Sequence, residues 1–106
     1  MKKPSRTERR QAARDAAKLV RAREKLAALE PGGASDRPIE VVSASSVEPH
    51  AASLACAQCG EHRMRVESHD AMTTEDGRRL RRVQTRCGRC GAPRVLYFRL
   101  GTAMLS

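Results

Sequence analysis

Two short stretches constrain this chain more than anything else in it: Cys56-Ala57-Gln58-Cys59-Gly60 and Cys87-Gly88-Arg89-Cys90-Gly91. Each is a C-x-x-C pair followed by glycine. Two intervening residues let one tight turn present two thiolates, and four thiolates complete a tetrahedral Zn²⁺ at about 2.3 Å. Backbone N–H groups inside such a turn can point at the sulfurs, and the following glycine lets the chain leave with positive φ. Cys56, Cys59, Cys87 and Cys90 are therefore the expected ligands of one structural zinc. A full set of four leaves no open position for hydrolytic chemistry. Two other uses of the same residues stand beside this one. Disulfides, in any of three connectivities, need an oxidising compartment, and a redox dithiol of the thioredoxin type needs a βαβ setting that the sequence lacks.

Composition explains why a metal would matter. The 106 residues include one Tyr, one Phe and no Trp, and 31% are charged. A small domain with so little to bury ordinarily needs a metal or disulfides to hold it. The formal charge is +9, and most of the 21 basic residues are arginine. A guanidinium forks onto phosphate and stacks on bases, so nucleic acid, a nucleoprotein assembly or an acidic protein surface are the partners this charge favours. An arginine- and alanine-rich proteome would also produce such a balance without any partner.

Three segments differ in character. Residues 1–30 are expected to form a basic helix. Ser5 and Glu8 match a capping box, the interior is rich in Ala, Leu, Arg and Lys, and Glu30-Pro31-Gly32-Gly33 ends the run. The apolar stripe Ala12, Leu19, Ala22, Leu26, Leu29 is thin and is interrupted by Asp15, short of a coiled-coil repeat. Residues 31–55, rich in Pro, Gly, Ser and Ala, are expected to be a disordered linker, with Ile39-Glu40-Val41-Val42 the sole strand candidate. Residues 56–100 hold the cysteines and three period-two runs, around Met64–Glu67, Arg82–Arg86 and Arg94–Leu100, with a turn signal at Glu75-Asp76-Gly77. A short tail fills 101–106. The fold class expected is a small α+β protein: an N-terminal helix, a linker, and a three-stranded antiparallel sheet clamped by the metal.

Two C-x-x-C-G turns bracketing alternating strands resemble a zinc ribbon. The resemblance spans Cys56 to about Leu100 and implies the metal and the fold. Ribbons of this kind occur in transcription factors, RNA polymerase subunits, ribosomal proteins and topoisomerases, which implies a role linked to nucleic acid. The transcript-cleavage ribbons of the elongation factor S-II type carry an Asp-Glu pair at the hairpin tip, preceded by a Gln-Thr-Arg-Ser run. Here Glu75-Asp76 lies at the tip but Gln84-Thr85-Arg86 follows it. That order favours a structural turn at Asp76-Gly77, and the chain is expected not to be an enzyme.

Alternation divides the expected sheet into two faces. Met64, Val66, Val83, Leu96, Phe98 and Leu100 form the apolar one. Arg63, Arg65, Arg82, Arg86, Tyr97 and Arg99 form a basic face with Gln84, suited to single-stranded DNA or RNA through phosphate contacts and stacking on Tyr97. A solvated sheet face accounts for the same residues, and a one-residue slip in register would exchange the two sets. The second functional expectation is a protein–protein adaptor that uses the ribbon as a rigid knob. His50, His62 and His69 are expected to be exposed. No Ser-His-Asp order, phosphate loop or small-molecule site stands out. The N-terminus has no apolar signal region and no stretch is long enough to span a bilayer, so a cytoplasmic location is expected.

Overall fold

The computed structural model describes residues 3–101, so all of the 101–106 tail except Gly101 lies outside the described residues. Helix α1, Arg6–Leu29, begins at the expected capping box: the Glu8 amide donates to Ser5 Oγ at 3.1 Å, and the Ser5 amide to Glu8 Oε2 at 3.3 Å. Satisfying two otherwise orphaned N–H groups fixes this helix end. The helix stops at Glu30, before Pro31, whose ring disfavours a helical residue ahead of it. Ala27 is its one buried residue. The part of α1 before Val20, residues 6–19, projects from the body, giving extents of 66 × 27 × 20 Å and a radius of gyration of 17.5 Å. A compact chain of this length would have about 13 Å.

Among the described residues the sheet has four strands, not three, and it is mixed. Strand β1 (Ile39–Val41), β2 (Met64–Thr73), β3 (Arg79–Cys87) and β4 (Pro93–Leu100) lie in the order β1-β4-β3-β2. β2, β3 and β4 are antiparallel, as the alternation predicts, whereas β1 pairs with β4 in parallel, Ile39 opposite Phe98 and Val41 opposite Leu100. The two β-branched residues of β1 face the core while Glu40, between them, comes within 3.4 Å of Arg99. The short apolar run thus finds its partner at long range, on the open edge of β4.

Segment 31–55 is correspondingly not a disordered linker in this structure. After β1 it forms a 3₁₀ turn, Ala44–Ser46, and a two-turn helix α2, Val47–Ser53, that closes over the sheet. Val47 and Ala51 are fully buried and join Val41, Val83, Leu96 and Phe98 in the main core, with Ile39, Leu54, Val66 and Leu100 packed around it. Burying a side chain such as Val, Leu or Phe is worth about 1.5–3 kcal/mol. A few such residues, spaced to fall on one side of one short helix, order a segment whose average composition is polar.

Of the six residues expected on the apolar face, five belong to this core or pack against it. Met64 instead joins Cys56 and Cys87 in a second small cluster beneath the sulfurs. A β-bulge between Val66 and Ser68 moves the alternation along β2 by one position. His69 is turned toward the core side as a result. Its side chain is 14% exposed, against the expectation of a solvated ring, and its Nδ1 lies 3.1 Å from Glu48 Oε2 on α2. His50 and His62 are exposed as expected, His50 with its ring edge-on to Phe98 and His62 with Nδ1 3.0 Å from the Ser53 carbonyl.

The ordered cap makes a clear prediction. Val47→Asp places an unpartnered carboxylate in the main core and should cost more than about 3 kcal/mol of stability in urea unfolding. A mere linker would tolerate the same change without effect.

Candidate metal centre

The two cysteine turns are built alike. In the first, the Cys56 amide donates to the Glu61 carbonyl at 2.9 Å and the Gly60 amide to the Cys56 carbonyl at 2.9 Å. In the second, Cys87 donates to the Ala92 carbonyl and Gly91 to the Cys87 carbonyl, both at 3.0 Å. Gly60 and Gly91 leave their turns at φ 80° and 78°, the left-handed region that side chains strain. The first turn precedes β2 and the second links β3 to β4, so the antiparallel pairing of Met64 with Cys87 sets one turn against the other.

The four Sγ atoms lie within 4.8 Å of one another, and Cys56–Cys90 and Cys59–Cys87 are each 3.6 Å apart. Disulfide sulfurs would sit at about 2.05 Å. Corners of a tetrahedron with 2.3 Å metal–sulfur bonds are about 3.8 Å apart. The arrangement is thus that of ligands around a metal ion, contributed across the two turns. Cys56 and Cys87 are buried, Cys59 is half-buried and Cys90 is exposed, so the site sits at the surface with its inner side against Met64.

The turns also prepare the sulfurs electrically. The amides of Cys90 and Arg89, at 3.5 and 3.3 Å from the Cys87 sulfur, lower that thiol to about 6. For Cys56, burial acts to raise the pKa, but the amides of Cys59 and Gln58 and the neighbouring sulfurs outweigh it and hold the thiol below its usual value. At Cys90 the Ala92 amide favours the thiolate, yet burial and the three other sulfurs prevail and push it up to about 11. Holding all four sulfurs as thiolates in so small a volume needs a cation, and thiol ligands bind a metal as thiolates.

Around the centre the arginines are engaged. Arg86 donates to the Gly91 carbonyl at 2.9 Å and to Glu67 at 3.2 Å, and Arg89 reaches Glu61 at 3.4 Å. Space at Gly88 is tight: a Cβ there would meet the Arg63 carbonyl at 3.1 Å and Arg65 Nε at 3.2 Å, so one of them would have to give by a few tenths of an ångström. The first turn carries one connection that local patterning does not announce. Gln58 Nε2 donates to the Val20 carbonyl at 3.1 Å, and Arg23 Nη1 donates to the Gln58 carbonyl at 2.6 Å, docking α1 on this turn. Arg94, largely buried, spans the same region by donating to the Ala55 carbonyl and to Glu30 Oε2, each at 3.4 Å.

The six residues expected to bind nucleic acid are placed as follows. Arg65 lies opposite Arg86 and Arg82 opposite Tyr97, all on the sheet face away from α2. Arg99 follows on that side two residues after Tyr97, and Arg63 precedes β2, exposed, with its carbonyl accepting from Gly88. Acidic residues are interleaved: Glu67 pairs with Arg86, Glu40 with Arg99, and Asp70 stands opposite Arg82. Arg82 and Tyr97 are half-buried, and Leu80 on the same face is 2% exposed. At the hairpin tip, Asp76 accepts from the Thr74 hydroxyl and from Arg78 Nε, which hold its carboxyl below the usual carboxylate range. The expected turn at Glu75-Asp76-Gly77 is there, and Asp76 is part of its framework.

Comparison with protein-family models, with curated proteins and with solved structures finds no match to this chain. Among the described residues, no helix is long and apolar enough to cross a membrane.

Two outcomes test the centre. Zinc binding at pH 7 should release fewer than four protons per ion, because the Cys90 and Arg89 amides favour the Cys87 thiolate before the metal binds; calorimetry in buffers of different ionisation enthalpy counts them. Affinity should fall as pH drops, since protons compete for the same sulfurs. A Cβ at Gly91 would meet nothing within 4 Å, so Gly91→Ala should cost only the backbone term, about 1–2 kcal/mol in the metal-loaded protein, and Gly91→Asn less.

Proposed function

We propose that this chain is a zinc-stabilised binding module of the zinc-ribbon kind, acting without catalysis on nucleic acid or a nucleoprotein assembly. The observation that carries the zinc assignment is the paired turns with sulfurs at tetrahedral spacing. All-thiolate coordination by two knuckles is characteristic of structural zinc, and four protein ligands leave no position for an activated water. The partner follows from charge: +9 on 106 residues, dominated by arginine, favours a polyanion. Thiol ligands of this kind persist in a reducing compartment, which supports a cytoplasmic setting.

A second reading, the protein–protein adaptor, has its own observation. Leu19, Leu26 and Leu29 are 50%, 62% and 60% exposed along one side of α1, a narrow apolar line open to a protein partner.

Metal analysis of purified protein should find one zinc per chain, and chelation should unfold the β-sheet signal in circular dichroism, because binding energy at such a site is folding energy. Fluorescence anisotropy with short single- and double-stranded oligonucleotides should show binding that weakens steeply with salt. A folded metal-free protein would refute the zinc role. Absence of any nucleic-acid binding at low salt would leave the adaptor.

A further inference from the structure

We infer that α1 presents a continuous cationic ridge that binds the phosphate backbone of duplex DNA, and that this ridge, rather than the sheet face, is the main anionic contact. The inference rests on the nucleic-acid reading above and narrows it to one surface and one form of partner. At 3.6 residues per turn, Arg6, Arg10, Arg14, Lys18, Arg21 and Lys25 fall within about one third of the helix circumference. They run for about 28 Å along the axis. All six are exposed, and among the described residues none makes an ion pair or side-chain hydrogen bond.

Three of the four acids of this segment lie off the ridge, and the fourth, Glu24, falls at its margin, at the helical angle of Arg6. Glu8 closes the capping box, Asp15 accepts from Gln11 at 3.0 Å, Glu24 lines the cleft against the first cysteine turn, and Glu30 meets Arg94. The body occupies the side of α1 that carries Val20, Arg23 and Ala27. The ridge is therefore free along its length, and its first four cations lie on the part of the helix that projects. The sheet face differs in just this respect, with Glu40, Glu67 and Asp70 set among its arginines.

A rigid row of charges suits a rigid polyanion. The major groove of B-DNA, about 12 Å wide, admits an α-helix, whereas the deep, narrow major groove of duplex RNA does not. Single strands are held largely by stacking, and α1 has no aromatic residue. An anionic membrane would need an apolar face beside the cations, but the exposed leucine line shares its sector with Glu8 and Asp15.

The test uses the zinc-loaded full chain and anisotropy titrations from 50 to 300 mM salt with a 20-base-pair duplex DNA, the same duplex in RNA, single-stranded DNA, and anionic vesicles. Two variants are compared: Arg10→Gln/Arg14→Gln/Lys18→Gln on the ridge and Arg65→Gln/Arg82→Gln on the sheet. Glutamine keeps helix propensity, and circular dichroism checks the helix. Each lost phosphate contact lowers the log–log salt slope by about 0.9, so the ridge variant should flatten it by up to about 2.7 and the sheet variant should leave it near wild type. Tighter binding to single strands, duplex RNA or vesicles than to duplex DNA would overturn the inference. So would a ridge variant with an unchanged slope. If the sheet variant alone flattens the slope, the ridge is wrong while the nucleic-acid reading survives; if wild type binds no nucleic acid at 50 mM salt, both fall.

Discussion

Four sulfurs converging on one small volume is the constraint from which this structure is organised. Thiolates at 3.6 Å repel, and the crowding shows at Cys90, which burial and its three neighbouring sulfurs push up, while backbone amides hold Cys87 down. A cation that resolves it ties the chain before β2 to the connection between β3 and β4, and so closes the hairpin at its open end. The paired turns bring their own amides and a glycine exit, so each knuckle is a preformed half-site. Sheet pairing need only bring the halves together.

The hydrophobic part is the complement of that clamp. One end of the sheet is held by sulfur and the other by a core of modest size, Phe98 and Leu96 beneath Val47 and Ala51. Neither end has enough to stand alone in a chain with two aromatic residues. β1 and α2 supply what the hairpin strands lack. They cover the apolar face and the exposed edge of β4, and an uncovered edge is a template for unwanted pairing.

What could be read in the sequence was what is encoded at short range. The cysteine spacing names its own turn, the capping box names a helix start, and period-two runs name strands, and each is present in the fold. What escaped is encoded by distance. Ile39 and Val41 become a strand only beside Phe98 and Leu100, and Val47 and Ala51 become core only when a sheet lies beneath them. The bulge between Val66 and Ser68 moves His69 to the core side without a glycine or proline to mark it. The basic residues of α1 are likewise encoded locally, recurring from Arg6 to Lys25 at the helical period of 3.6.

Gln58 sits at a position inside the first C-x-x-C that the metal leaves chemically unassigned, yet its side chain and carbonyl grip α1 from Val20 and Arg23. The turn therefore has an inner surface that presents sulfurs and an outer surface that sets the bearing of a rod. A projecting arm about 20 Å long magnifies any tilt at its base, so that 10° at the knuckle becomes about 3.5 Å at the tip. The bearing of α1 is thus set at this turn: a tilt there too small to disturb the sheet would still swing the far end of the helix by most of a helix radius.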